Sequence, residues 1–314
     1  MKLLLLGKDG QLGLALRQTL PALGAVRALG RTELDLAAGP KSAVGHARHD
    51  TQGGLHQLER FLQQVRPQII VNAAACTAVD DAQHDIERAW QVNVQAPSCM
   101  AAWARRSDAL LVHYSSDYVF DGCKRSPYLE SDRAAPLNVY GQTKLAADQA
   151  ILDSGCSCLI FRTSWVFSAQ PGNFVHTVVM RALGCDALSV VDDQVGAPTP
   201  ARLLAQVTVR AIEAWQRGGL TAGLYHLTAA GATSRHELAC HIVRHMQARG
   251  VRTRLQPHCI RAVATADDPG RAVRPMNSRL DGAALQQALG SVWPHWSGLV
   301  DEVVDEILQN LGIV

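Results

Sequence analysis

The stretch Lys2–Leu16, KLLLLGKDGQLGLAL, decides the fold of the amino-terminal part of this 314-residue chain. A short apolar run of strand length leads into a turn with three glycines, and apolar residues at helical spacing follow. Such glycines make a tight turn, let the backbone approach a pyrophosphate and let the helix lie close to the strand, while the helix N-terminus offers free N–H groups to the anion. The stretch predicts a dinucleotide-binding βα unit whose cofactor contacts comprise Gly7, Gly10, Gln11, Leu12 and Gly13.

Beyond this stretch, apolar runs of strand length alternate with longer segments of helical period, which is typical of βαβ units on a parallel sheet. The further strand-like runs are residues 25–29, 68–74, 109–116 and 158–164. The helical segments are Leu12–Leu23, Leu55–Val65, Ile86–Arg105 and Tyr140–Leu152. We therefore predict an α/β fold with a Rossmann-type doubly wound parallel sheet.

The pattern becomes less regular after about residue 165. Its strand-like runs are 188–193 and 223–228, and its helical segments are Ala201–Trp215, Ser234–Arg249 and Trp296–Leu311. We predict a dinucleotide-binding domain over residues 1–165 and a smaller C-terminal α/β substrate lobe over 166–314, with some exchange of chain between the two.

Composition excludes several classes of protein. Charged residues make up 18% of the chain and the formal net charge is +2, so no broad basic field exists to follow a nucleic acid backbone. The eight cysteines are scattered without zinc-site spacing, which favours reduced thiols. The apolar run before the first glycine is only four residues long, too short for a signal sequence or a membrane span. We expect a cytoplasmic protein that binds neither nucleic acid nor membrane.

The second strand-like run ends in Gly30-Arg31, and this bears on the choice of dinucleotide. A carboxylate at this point would hydrogen-bond a ribose 2′-hydroxyl, whereas an arginine suits a 2′-phosphate. The first carboxylate after the run is Glu33. We predict NADPH as the cofactor with Arg31 in contact with it; NADH and an exposed loop arginine are the open alternatives.

The segment Val139–Ala150, VYGQTKLAADQA, places Tyr140 and Lys144 four positions apart on one face of a predicted helix. An ammonium beside a phenol favours the phenolate, so we expect Lys144 to lower the pKa of Tyr140 and make it a usable acid. A third hydroxyl is available at the end of a strand-like run, where HYSSDYVFDG contains Ser115 and Ser116. This trio predicts a site for reducing a carbonyl group.

The glycine-rich turn, the serine-bearing strand end and Y-x-x-x-K resemble the extended short-chain dehydrogenase/reductases. The chain resembles most closely the family of dTDP-4-dehydrorhamnose reductases, in nearly every segment except residues 32–54. The strings that carry this resemblance are GKDGQLG, RPQIIVNAAACTAVDDAQ, HYSSDYVFDG, PLNVYGQTKLAAD, FRTSWVF, DDQVGAPT, GLYHLTAAGATSRHELA and RPMNSRL. The resemblance implies reduction by NAD(P)H of the C4 keto group of dTDP-4-dehydro-6-deoxy-L-mannose to dTDP-L-rhamnose.

The resemblance also implies roles for individual residues. Tyr140 would protonate the developing alkoxide, Lys144 would hold the cofactor ribose, and Ser116 takes a position where the family often has threonine. Further implied contacts to the sugar nucleotide are Asp117 and Trp165, and further implied contacts to the cofactor are Asp50, Ala73, Ala74 and Ala75. From its chemistry alone, the guanidinium of Arg274 is a candidate for the diphosphate.

Two positions depart from relatives that carry glutamates associated with Mg²⁺ and dimer formation; here they are Ala15 and Arg202. Few oxygen ligands are then left for a hard cation, so we expect no bound metal and a monomer or weak homodimer.

Three other functions stay open at this point. A different 4-ketoreductase would give a 6-deoxytalose product, an epimerase would keep its cofactor bound and need no external reductant, and a regulatory subunit would bind nucleotide without turnover. A dehydratase is disfavoured because Asp117 is followed by Tyr118 rather than by a glutamate.

Overall fold

The computed structural model describes residues 1–38, 53–267 and 272–314. Its strands are β1 (Lys2–Leu6), β2 (Ala25–Leu29), β3 (Ile69–Asn72), β4 (Leu110–Ser116), β5 (Cys158–Thr163), β6 (Val166–Phe167), β7 (Leu188–Val191), β8 (Val195–Gly196), β9 (Thr199–Pro200), β10 (Gly223–His226), β11 (Thr233–Ser234) and β12 (Ile260–Val263). Its helices are α1 (Gln11–Thr19), α2 (Gly54–Val65), α3 (Val79–His84), α4 (Ile86–Trp90), α5 (Ala96–Ser107), α6 (Val139–Asp153), α7 (Phe174–Gly184), α8 (Ala201–Gln216), α9 (Arg235–Ala248), α10 (Ala283–Ala288) and α11 (Trp296–Asn310).

A six-stranded parallel sheet forms the centre of the fold, in the order β10-β5-β4-β3-β1-β2. The order reverses direction between β1 and β3, so a crevice opens there at the carboxyl ends of the strands. Four of the six strands agree with the predicted runs to within one residue at each end, and β3 and β10 each end two residues before their predicted runs. The prediction of a Rossmann-type doubly wound sheet is confirmed.

Side chains of the central strands alternate between two apolar cores, as the period of a strand requires. Leu3 and Leu5 of β1 point into the core on the side of α1 and α8, whereas Leu4 and Leu6 point into the core on the side of α2 and α5. All four are buried. Burial on both faces explains why these strands read as continuous apolar runs rather than as alternating patterns.

The chain after residue 165 is divided between the central sheet and a second layer. Strand β10 pairs with β5 in the central sheet, and α8 packs against α1. The remainder builds three two-stranded sheets, β6 with β9, β7 with β12 and β8 with β11, covered by α7, α9 and α11. The division at residue 165 therefore stays a prediction, since two later elements complete the layers of the first part.

The segment Ile86–Arg105, predicted as one helix, is interrupted by a π-helical turn at Gln91–Gln95 between α4 and α5. Helix α7 was not predicted at all. Within the three described ranges, no helix combines the length and the apolar character that crossing a bilayer requires.

Candidate active site

The glycine turn between β1 and α1 leaves no room for side chains at two of its three glycines. Gly7 has a φ of 81°, and a Cβ there would lie 2.6 Å from the backbone nitrogen of Ala74. A Cβ on Gly13 would lie 1.9 Å from the Gly7 carbonyl oxygen. At Gly10 the nearest atom is 3.5 Å away, so the turn is open on the side of the cleft. The turn and the first N–H groups of α1 therefore fit a dinucleotide pyrophosphate.

A cleft of about 980 Å³ lies at the carboxyl ends of the central strands and extends to the C-terminal layer. The predicted site residues that line it are Gly10, Gln11, Leu12, Ala73, Ala74, Ala75, Ser116, Asp117, Tyr140, Lys144, Trp165 and Arg274. Gly7 and Gly13 form the turn behind this wall. Arg31 is exposed and does not line the cleft, and Asp50 lies outside the described residues.

Gln11, in the first turn of α1, connects the glycine turn to the opposite wall of the cleft. Its Oε1 accepts hydrogen bonds from Ser168 Oγ at 3.0 Å and from Asn173 Nδ2 at 2.9 Å. Asn173 also caps α7 by accepting from the His176 N–H at 3.0 Å. These hydrogen bonds of the Gln11 amide thus join the two walls of the cleft beside the predicted pyrophosphate site.

A carboxylate lies at the end of β2, although its residue, Glu33, comes several residues later in the sequence. Glu33 folds back so that its Oε2 accepts from the Gly30 N–H at 2.9 Å, and its other oxygen pairs with Lys8. The hydrogen bond from Lys8, followed by that from Gly30, lowers the pKa of Glu33 to about 2. A negative charge and the exposed Arg31 therefore both lie near this end of the strand.

Tyr140 and Lys144 lie in the first two turns of α6, on the face that lines the cleft. Asn138 caps the helix by accepting from the Gly141 N–H at 2.8 Å. A Cβ on Gly141 would lie 2.1 Å from the Tyr118 carbonyl oxygen, so the start of α6 lies directly against the turn after β4. This contact brings the phenol of Tyr140 to the end of the strand that carries Ser116.

The Ser116 hydroxyl is the centre of a short polar chain. It hydrogen-bonds the Tyr140 phenol and donates to Asp117 Oδ1 at 2.7 Å. Asp117 Oδ2 accepts from Ser164 Oγ at 3.2 Å, and Ser278 also hydrogen-bonds this carboxylate. Asp117 is buried, so serine hydroxyls provide the donors that a buried carboxylate requires. The structure brings all three predicted catalytic side chains together.

The expected lowering of the pKa of Tyr140 is not found, because the pKa is raised. Burial raises the pKa of Tyr140 far above its ordinary value, and the charge of Asp117 raises it further, while the Ser116 hydroxyl lowers it. Burial also lowers the pKa of Lys144 to about 8. With a pKa of about 8, Lys144 is still mostly charged at pH 7, so burial and the charge of Asp117, and not loss of the lysine charge, account for the raised pKa of Tyr140.

A polar network lies beneath Lys144, at the interface of β3, β4, β5 and α6, and the sequence analysis did not identify it. His113 of β4 places its Nε2 3.3 Å from Lys144 Nζ and its Nδ1 3.1 Å from Asn72 Nδ2. Asp148, one turn after Lys144, accepts from Arg162 Nε at 3.0 Å and from Ser115 Oγ at 2.9 Å.

The far wall of the cleft is cationic and aromatic. The guanidinium of Arg235 lies 3.7 Å from the centre of the Trp165 ring and 5.2 Å from that of Phe174. Arg235 also hydrogen-bonds Tyr118. Sequence reasoning missed Arg235 because it follows the helix cap Ser234, where an arginine carries no distinguishing pattern.

Arg274 lines the cleft as predicted, but most of its donors are already engaged. Its Nη2 donates to Asp80 Oδ2 at 2.8 Å and its Nη1 to the Ala272 carbonyl oxygen at 2.9 Å. It also hydrogen-bonds Tyr118. Bidentate binding of a diphosphate would require Arg274 to break some of these hydrogen bonds.

Asn93 in the π-helical turn is a second residue that the sequence did not reveal. Its side chain bonds the backbone N–H and carbonyl of Cys76, at 2.8 and 3.2 Å, and Thr143 Oγ1 at 3.0 Å. It therefore ties the loop after β3, which contains Ala73–Ala75, to the helix that carries Tyr140 and Lys144. The only sequence signal is an asparagine within an otherwise helical run.

Comparison with known proteins agrees with this geometry. The family described as RmlD substrate binding domain matches residues 1–309. A dTDP-4-dehydrorhamnose reductase from Burkholderia thailandensis is 39% identical over 314 residues, which cover 99% of this chain and all of the relative.

Two solved structures of dTDP-4-dehydrorhamnose reductases are similar over nearly the full length. The one from Clostridium acetobutylicum has a TM-score of 0.84 at 28% identity and covers 98% of this chain and 99% of its own. The one from Bacillus anthracis, solved in complex with NADP, has a TM-score of 0.83 at 26% identity and covers 97% of this chain and 99% of its own. The resemblance seen in the sequence is confirmed, and the chain belongs to the dTDP-4-dehydrorhamnose reductase family.

Proposed function

We propose that this protein reduces the C4 keto group of dTDP-4-dehydro-6-deoxy-L-mannose to dTDP-L-rhamnose, with NADPH as the reductant. The observation that carries the proposal is the convergence of Tyr140, Lys144 and Ser116 on one cleft that also contains the glycine turn. Membership in the reductase family and the NADP complex of the Bacillus anthracis relative support the choice of substrate and cofactor. Gly10, Gln11 and the loop Ala73–Ala75 would hold the cofactor, and when bound it would supply hydride to the carbonyl carbon.

Tyr140 is the proton donor in this proposal. The raised pKa of Tyr140 keeps the phenol protonated at neutral pH, which is the state a donor to a carbonyl oxygen needs. As the carbonyl oxygen becomes an alkoxide, it becomes a stronger base than the phenolate, so the proton moves from Tyr140 to that oxygen. The Ser116 hydroxyl orients the phenol, and a charged Lys144 stabilises the phenolate that remains.

The sugar nucleotide would occupy the part of the cleft between the catalytic residues and the C-terminal layer. Trp165 lines this part of the cleft and would contact the sugar beside Arg235, which covers one face of its ring, and Asp117 fixes the position of Ser116. Arg235 and Arg274 together supply the positive charge for the diphosphate, which replaces the role first given to Arg274 alone.

The test is product identification by NMR after incubation of the keto sugar with NADPH. We expect oxidation of NADPH in equal amount to the keto sugar consumed and formation of the rhamnose configuration at C4. A 6-deoxytalose product would show that the opposite face of the C4 carbonyl is reduced. Turnover of the sugar without oxidation of NADPH would identify an epimerase, and no turnover at all would favour a regulatory subunit.

Tyr140→Phe is the matched variant, with Tyr225→Phe as its control. The control removes a phenol hydroxyl that is bonded to Thr221 and does not line the cleft. We expect kcat to fall by roughly a hundredfold or more in the first variant, since a positioned acid contributes that much, and to be unchanged in the second.

Other features of the function stay predictions. Preference for NADPH is tested by comparing kcat/KM with each dinucleotide in the wild type and in Arg31→Ala. Arg202, where some relatives carry a glutamate, pairs with Glu302, which supports the expectation that no Mg²⁺ binds there. Sedimentation with and without Mg²⁺ tests that expectation together with the monomer or weak homodimer.

A further inference from the structure

His113 is completely buried between the cleft and the sheet, and it is not among the residues that line the cleft. It stands opposite Asn72 in the pairing of β3 with β4, and it faces Lys144 across the interface with α6. Both ring nitrogens are therefore engaged by polar groups, and neither contacts solvent.

The hydrogen-bond partners of His113 show which ring nitrogen carries the proton. Asn72 Oδ1 accepts from the Ala74 N–H at 3.1 Å, so the amide nitrogen of Asn72 is the atom that faces His113 Nδ1, at 3.1 Å. An amide nitrogen donates and does not accept. His113 Nδ1 must therefore be unprotonated, and the single proton of a neutral imidazole lies on Nε2, pointing at Lys144 Nζ.

This arrangement opposes a positive charge on Lys144. An ammonium has three donors and no acceptor, so it cannot receive the N–H of His113, whereas an uncharged amine can. The alternative tautomer would accept from the ammonium, but it would turn Asn72 and place an amide nitrogen against the Ala74 N–H. That bond orders the loop after β3, which lines the cleft.

We propose that His113 is a positioning residue that acts through Lys144, fixing the position of its nitrogen at the cleft and opposing the charge on that lysine. Only the expected effect of His113 on kcat rests on the proposed function; the protonation of its ring and its effect on the charge of Lys144 do not. The charge of Asp148 acts directly on Lys144, and Arg162 of β5 pairs with Asp148. Asp117, Tyr118 and Asp148 act on Tyr140, which shares the face of α6 with Lys144.

Two properties of these groups agree with the proposal. Burial, and then the charge of Lys144, lower the pKa of His113 well below its ordinary value, so the ring stays neutral at working pH. The pKa of Lys144 is lowered to about 8 by burial although Asp148 opposes the shift. A lysine in this range can change charge with small changes in its surroundings.

The first experiment uses the wild-type protein and does not depend on activity. Long-range ¹H–¹⁵N correlation of the histidine rings should show His113 protonated on Nε2 and unprotonated on Nδ1 from about pH 6 to about pH 9. A ring protonated on Nδ1, or on both nitrogens, would overturn the proposal.

The second experiment follows the titration of Lys144 Nζ by ¹⁵N NMR in the wild type, His113→Gln and His226→Gln. The carbonyl oxygen of the new glutamine can accept from the ammonium, so we expect the midpoint of Lys144 to rise by about one pH unit in His113→Gln. His226 is an equally buried histidine that contacts the Tyr128 carbonyl, so its variant should leave the midpoint unchanged.

An unchanged or lowered midpoint in His113→Gln would overturn the proposal, as would an equal rise in both variants. In active enzyme the alkaline limb of kcat should move with the midpoint. Absence of reductase activity in the wild type would contradict the proposed function and leave the two NMR results to decide the role of His113.

Discussion

The buried ion pair between Arg162 of β5 and Asp148 of α6 offers a quantitative test of how the catalytic helix is held. Arg162 Nε lies 3.0 Å from Asp148 Oδ2, and the two side chains are 6% and 1% exposed. Removing one partner leaves the other charge buried without compensation, which costs about 3–5 kcal/mol in comparable sites. Since domains are stable by roughly 5–15 kcal/mol, Asp148→Leu or Arg162→Met alone should remove a large part of the free energy of unfolding.

The double variant Asp148→Leu with Arg162→Met separates charge from packing. It removes both charges of the pair, while Ser115 and Lys144 lose Asp148 as a partner, so we expect its free energy of unfolding to be about 1–2 kcal/mol lower than that of the wild type. Urea unfolding followed by circular dichroism measures all four proteins. Loss of less than about 1 kcal/mol in each single variant, or a double variant as unstable as the sum of the two, would refute the reasoning.

Three further outcomes follow from the structure. Gly13→Ala should fail to fold or to bind dinucleotide because its Cβ meets a backbone carbonyl at 1.9 Å, whereas Gly10→Ala, with 3.5 Å of clearance, should keep the fold and weaken cofactor binding, as measured by circular dichroism and calorimetry. Burial is the main cause that lowers the pKa of His226 from the ordinary 6.5 to about 4, so the unfolded chain binds a proton at a higher pH than the folded chain does. The contribution of the neutral ring to stability is therefore present above pH 6.5 and is lost as the pH falls towards 4. Urea midpoints at pH 7 and at about pH 5 should differ less in His226→Gln than in the wild type. Gly196→Ala would place its Cβ 2.6 Å from the Trp165 indole, so we expect a higher KM for the sugar nucleotide with little change in the KM for NADPH.

The parts of the fold that were predicted correctly are those where one residue pattern has one structural solution. Burial on both faces makes a central parallel strand a continuous apolar run, and the glycine turn admits no other residue at Gly7 and Gly13. Strand β10 was assigned to the C-terminal lobe because chain order suggests neighbours, and only the pairing with β5 shows otherwise. Helix α7 lies in the less regular part of the pattern.

The catalytic trio was predictable because its spacing along the chain is local: Tyr140 and Lys144 share a helix face, and Ser116 ends a strand. The groups that set the charge of this trio were not predictable. His113 and Arg162 are single polar residues inside strands, and nothing in the sequence distinguishes them from residues that merely tolerate burial. The predicted direction of the pKa shift of Tyr140 was wrong for the same reason, since the degree of burial depends on the layers that pack around α6.

The pairing of β10 with β5 has a consequence for any attempt to build hybrid enzymes from relatives of this protein. A fragment that stops at residue 165 would leave β5 as an open edge with unpaired N–H and C=O groups, and it would uncover the face of α1 that α8 protects. Open strand edges recruit other chains, so such a half would aggregate rather than accept a new partner. Substrate preference can therefore be transplanted only in pieces that lie between β5 and α8 or after β10, with α8 and β10 left in their parent protein.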